Sequence, residues 1–183
     1  IPLESVMAKS WNKKIFKQID EQVNKASKDL AEERGACPDA AEYGYQERFS
    51  NKTAIAPTAS ISIICGGASP GVEPIAANSY THKTLSGSFN VRNRYLEEIL
   101  ESHGKNDDET WSTITTNQGS VSHLDFLTDL EKDVFKTAFE LDQKWIIELS
   151  GDRTPFISQA QSINLFVPAD IHKRELHKIH FDA

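Results

Sequence analysis

Cysteine is nearly absent: Cys37 and Cys65 are the only two in 183 residues. Two thiols make no disulfide framework, so a reducing cytosol is the expected setting. Long apolar runs are lacking too. The richest stretch, residues 54–65, is broken by Pro57, Thr58, Ser60 and Ser62, and a bilayer span needs ~18 apolar residues in a row. The opening Ile1-Pro2-Leu3-Glu4 has neither the basic nor the apolar segment of a secretory leader. It also lacks an initiator Met, which raises the expectation of an incomplete chain. Basic residues are in deficit, with 20 Lys and Arg against 27 Asp and Glu and a net charge of −7. Binding to nucleic acid or to an anionic membrane draws on clustered cations, so neither partner is expected.

What is present describes a folded chain. The 38% hydrophobic and 26% charged residues argue against wholesale disorder, and the length suits one domain or a large piece of one. Ile15, Ile19, Val23, Ala26 and Leu30 step by four, four, three and four, which predicts a helix from Trp11 to Arg34. Gly35 ends it and Pro38 prevents its resumption, so 36–50 reads as a connection. Asn93 to His103 carries Leu96, Ile99 and Leu100 at helical spacing, and 104–110 reads as a solvated loop. Leu130, Val134, Ala138, Leu141, Trp145 and Leu149 predict one long helix stopped by Gly151, its Trp145 stripe facing the core. Thr53–Ala56 and Ser162–Val167 read as short strands, the second entering the core. Asp170 is placed to cap a last helix through Leu176 and Ile179. Strands among long helices favour an α/β arrangement.

Several constellations bear on chemistry. The segment Ala56-Pro57-Thr58-Ala59-Ser60-Ile61-Ser62 leaves a strand through small and hydroxylated residues. Backbone N–H groups freed there, with hydroxyls of Thr58, Ser60 and Ser62, suit an anion, and a helix starting at this point adds its positive end. No Gly-Lys-Ser/Thr follows, so it is not a Walker loop. The plainer alternative is a capped turn that binds nothing. His172, His177 and His180 invite a metal, but His172 falls on another face and a polar helix face is the simpler account. Cys37 and Cys65 lie outside any Cys-x-x-Cys motif, and Cys65 after Ile63-Ile64 reads as a small buried hydrophobe. Glu73, between Gly71 and Pro74, reads as a buried acid or a turn carboxylate. For Arg153, pairing with Asp152 and solvation both stay open.

The same segment, followed by Gly71-Val72-Glu73-Pro74, resembles the substrate phosphate-binding turn of the ribonucleotide reductase large subunit. The resemblance continues through Leu85-Ser86-Gly87-Ser88-Phe89 to Asn93, Gly119-Ser120, the Trp145 helix, Gln159-Ala160-Gln161-Ser162-Ile163-Asn164-Leu165 and His180-Phe181. It covers about residues 47 to 183. It implies an α/β fold, the C-terminal portion of a ten-stranded α/β barrel at 51–183 behind a helical lead-in at 1–50. It implies radical reduction of ribonucleotides to deoxyribonucleotides, with Pro57, Thr58, Ala59, Ser60 and Ile61 holding the substrate's phosphates. The chain departs from the family where catalysis is concerned. Nothing in 1–50 matches the loop of the radical cysteine, neither Cys37 nor Cys65 matches the redox pair, and the radical-relaying tyrosines do not occur before Ala183.

The resemblance therefore implies no catalytic residue, metal or cofactor bound by this chain. Its expected partners are the N-terminal part of the large subunit, a separate metal-containing small subunit that supplies the radical, and a ribonucleotide. A split reductase and a fragment of a longer chain both fit. The alternatives are a non-catalytic phosphate-binding module and a fragment of a cobalamin-dependent reductase.

Overall fold

Ser5 starts the first helix. Its side chain accepts from Ala8 N–H at 3.1 Å, and α1 then runs Val6–Arg34 until Gly35, at φ 84°, turns its N–H back to Ala31 C=O. The computed structural model describes residues 1–85 and 87–183. Ser86, part of the Leu85-to-Phe89 motif, lies outside the described residues. After α1 come α2 (Pro38–Glu42), α3 (Ala59–Ile64), strands β1 (Ser79–Thr84) and β2 (Gly87–Arg92), then α4 (Arg94–Ser102) and α5 (Asp108–Thr116). The chain closes with α6 (Asp129–Val134), α7 (Gln143–Arg153), a 3₁₀ turn at Thr154–Phe156 and α8 (Lys173–Asp182). No helix among the described residues is long and apolar enough to cross a membrane.

Local chemistry sets the helix starts. Asn93 caps α4, Asp107 caps α5 and Asp142 caps α7, each accepting a first-turn N–H through its side chain. Thr128 and Glu131 cap α6 reciprocally. The last helix is capped by His172, whose ring nitrogen accepts from Arg174 N–H, and not by Asp170.

The main core joins α4 and α5 to the turns after them: Leu96, Leu100, Trp111, Ile114, Val121, Leu124, Leu127 and Phe135. Ala138, Leu141, Ile146 and Leu149 are buried beside it on and before α7, which packs on α1. β1 and β2 form an antiparallel hairpin with Tyr80 opposite Val91 and His82 opposite Phe89.

Other expectations are corrected as well. The long helix through Leu130 and Leu149 is two, because the 135–142 segment spends its backbone elsewhere: Ala138 N–H donates to Ile75 C=O at 3.0 Å and Thr137 N–H to Glu140 Oε2 at 2.8 Å. Gly151 lies inside α7, Leu130 is exposed and Trp145 is half-buried under Lys9. The connection at 36–50 contains α2, and the loop at 104–110 ends in the first turn of α5. On α1 the face that packs is turned from the apolar stripe: Ser27 and Ala31 are buried, while Trp11, Ile15 and Ile19 are exposed. The two short strands reduce to one parallel bridge, Ile55 with Gln161. Beyond it, side chains take the donors of 162–167: Asn164 N–H meets the Glu73 carboxylate, and Phe166 N–H meets Gln143 Oε1 at 2.7 Å.

Candidate anion-binding site

Pro57 ends the bridged segment and the chain coils into α3. The first intrahelical bond runs from Ser62 N–H to Thr58 C=O at 2.7 Å, so the N–H groups of Ala59, Ser60 and Ile61 have no acceptor inside the helix. Pro57, Ala59, Ser60 and Ile61 are exposed and Thr58 is half-buried. These N–H groups form a compact donor set, and the positive end of the short helix points the same way.

Two of the three hydroxyls are already committed. Thr58 Oγ1 donates to Pro70 C=O at 3.0 Å, beside its own N–H at 2.8 Å. Ser62 Oγ, buried, donates to Ala59 C=O at 2.8 Å. The Ser60 hydroxyl, on an exposed residue, is the one left to face an incoming anion.

The loop after α3 folds back to hold Thr58. Gly66 and Gly67 make the reversal with φ of 87° and 80°, a conformation that costs a residue with a Cβ dearly. One flank of α3 opens on a cleft of about 660 Å³, lined by Ser60, Ile63, Pro70, Tyr80, Arg92 and Asn93 among others. The hairpin supplies Tyr80 and Arg92, which the sequence places far from α3 and which no local pattern revealed. Arg92 is tied to Asp108 at 2.8 Å and stacks on Trp111 at 5.1 Å.

Behind the loop lies a buried polar group. Glu73 is 4% exposed and its carboxylate accepts from Asn164 N–H, so it is a buried acid and not a solvated turn residue. Arg153, also 4% exposed, donates to Gln161 Oε1 at 2.7 Å and Asn12 Oδ1 at 3.3 Å and stacks over Phe16. Burial pulls the Arg153 guanidinium below its ordinary pKa, and the charge of Glu73 acts in the opposite direction. Neither of the two accounts offered for Arg153, pairing with Asp152 or solvation, describes it.

The other candidates do not converge here. Cys37 sits at the start of α2, and Cys65 is exposed at the end of α3 instead of buried, because α3 packs through Ser62 and turns Ile61, Ile63 and Ile64 outward. His172 is the α8 cap, and His177 lies 6.1 Å from the Phe181 ring. Among the described residues no three His, Cys, Asp or Glu side chains stand together as metal ligands.

Comparison with known proteins gives this arrangement a context. The family described as "Ribonucleotide reductase, barrel domain" matches residues 39–183. The chain is 47% identical, over its whole length, to part of the ribonucleoside-diphosphate reductase large subunit of Invertebrate iridescent virus 6, of which it covers 19%. It is 42% identical to that of Invertebrate iridescent virus 3, covering 29% of it. Among solved structures, the alpha subunit of the Actinobacillus ureae class Id ribonucleotide reductase superposes with a TM-score of 0.89 at 38% identity. That match covers 99% of this chain and 32% of the other. The chain thus spans about a fifth to a third of these relatives.

Proposed function

Because this chain belongs to the ribonucleotide reductase barrel family, we propose that it is the C-terminal component of a ribonucleoside-diphosphate reductase large subunit and holds the substrate's phosphates. On this reading residues 1–50 are the lead-in and 51–183 the barrel portion. The observation that carries the site is the freed donor set of Ala59, Ser60 and Ile61, fixed in place by the two hydrogen bonds that Thr58 N–H and Oγ1 donate to Pro70 C=O.

The contribution to chemistry is positional. Backbone donors that are oriented before substrate arrives hold the diphosphate without reorganising, which in turn fixes the ribose relative to a reacting group brought by another segment. On this reading the catalytic and redox cysteines belong to the N-terminal part of the large subunit. The radical comes from a separate metal-containing small subunit. The setting is the cytosol.

Ser60→Pro tests the reading. Position 60 is in the first turn of α3, where the lost N–H has no helical acceptor, so the loss falls on the anion donors. In the complex containing this chain, Ser60→Pro is expected to abolish cytidine diphosphate binding and turnover while α7 stays folded. Unchanged affinity would overturn the site. Binding with no deoxyribonucleotide formed, in the presence of the N-terminal part and the small subunit, would favour a binding module over an enzyme component.

A further inference from the structure

The anion turn is held from both sides by one stretch of chain. Before the turn, Ile55 N–H donates to Ala160 C=O at 3.2 Å and Ser162 N–H donates to Ile55 C=O at 2.9 Å. After it, Pro70 C=O takes both donors of Thr58, Ser69 Oγ donates to Glu73 C=O, and the Glu73 carboxylate accepts from Asn164 N–H. Segment 160–164 therefore grips the bridged residue that leads into the turn and the loop that leaves it. The second grip passes through a single side chain.

That side chain is unusual for its surroundings. A carboxylate almost fully withdrawn from water carries a large desolvation cost unless it is hydrogen-bonded and balanced. Asn164 N–H supplies the bond. Arg153, equally buried and oriented by Gln161 and Asn12, makes no direct ion pair with Glu73 but is near enough for the two charges to act on each other. Room for the carboxylate exists because residue 71 is glycine: a Cβ there would overlap Glu73 Oε2.

We propose that Glu73 is a positioning residue for the anion turn: its carboxylate, fixed on Asn164 N–H, sets where Pro70 stands and so where Thr58 and the Ala59–Ile61 donors point. This rests on the phosphate-binding reading of that turn. Glu73 touches no phosphate itself. Its removal leaves the donors present but misaligned, which weakens binding of the diphosphate.

Cytidine diphosphate affinity in the native complex is the readout, taken where tryptophan fluorescence reports a folded chain. Glu73→Ala is expected to weaken affinity at least tenfold. Glu73→Gln, whose side-chain carbonyl still accepts from Asn164 N–H, is expected to recover most of that loss. A merely structural role would lower the melting temperature in both and leave affinity unchanged at folded conditions. If Glu73→Ala does not fold, Gly71→Ala replaces it, displacing the carboxylate with no change in charge, and the same tenfold loss is expected. Parental affinity in the folded variant, or Glu73→Gln as weak as Glu73→Ala, overturns the proposal provided Ser60→Pro still abolishes binding. Should Ser60→Pro bind normally, it is the phosphate-turn reading that falls.

Discussion

Asn78 grips Gly119 twice: its backbone N–H, at 3.1 Å, and its side-chain amide, at 2.9 Å, both donate to the Gly119 carbonyl. The same amide reaches Phe135 C=O at 2.7 Å, and Asn78 Oδ1 accepts from the Asn93 amide at 2.8 Å. One side chain, 1% exposed, thus joins the hairpin's start, the end of α5, the end of α6 and the cap of α4.

Two substitutions test that junction. Asn78→Ala leaves the Phe135 carbonyl without its donor and the Asn93 amide without its acceptor, while Gly119 C=O keeps the backbone N–H of residue 78, and is expected to cost about 1–3 kcal/mol. Gly119→Ala forces a Cβ into Ala77 at a φ of 82° and is expected to cost about 1–3 kcal/mol through overpacking. Urea unfolding followed by Trp111 fluorescence measures both, and an unchanged midpoint in either contradicts the assignment.

Acid stability has a specific contributor. The Thr128 backbone and hydroxyl, then His103, donate to Glu131 and hold its carboxyl down from an ordinary 4.5 to about 2. A depressed carboxyl stabilises the fold above its unfolded pKa and loses that contribution as pH falls through the folded value. Stability is therefore expected to decline between about pH 4.5 and 2. In Glu131→Gln that part of the decline should be missing, as read from urea midpoints across the interval.

Ser27 anchors the connection onto α1. Its Oγ, on a residue 1% exposed, accepts from Arg48 N–H at 3.1 Å and Phe49 N–H at 3.2 Å. Ser27→Ala is expected to cost about 0.5–1.5 kcal/mol. It should raise amide exchange at 49 ahead of the α4–α5 core, and less at 48, whose N–H keeps Ser27 C=O at 3.1 Å.

The exposed face of α1 bears on the proposed partner. Met7, Trp11, Ile15 and Ile19 are 59%, 52%, 49% and 40% exposed in line along one face, a stripe of the kind that marks an interaction surface. With Trp111 and Trp145 replaced by Phe, Trp11 emission is expected to shift to the blue when the N-terminal part of a large subunit is added. An unmoved spectrum would place that partner's contact elsewhere.

Much was legible where the signal is local. Gly35 stops α1 and Asn93 starts α4 because a positive φ and a short side-chain acceptor each act within one turn of helix. The α3 turn was legible for the same reason: proline, small residues and hydroxyls lie side by side in sequence. The α5 helix was not, since Asp108–Thr116 is rich in threonine, a weak helix former, and folds as helix because Trp111 and Ile114 fill the core. The hairpin was not either, its two strands being largely polar.

By itself the sequence determined the end of α1 at Gly35, the start of α4 at Asn93 and where backbone donors are set free at 59–61, because caps, prolines and glycines act on their immediate neighbours. Tertiary structure decided the rest. It split the helix around Phe135, since Ile75 takes a hydrogen bond that a continuous helix would have kept. It turned α1 so that Ser27 faces inward, and it buried Glu73 and Arg153 behind the turn. A charge is withdrawn from water only when partners distant in sequence arrive to compensate it, and here those partners are Asn164, Gln161 and Asn12.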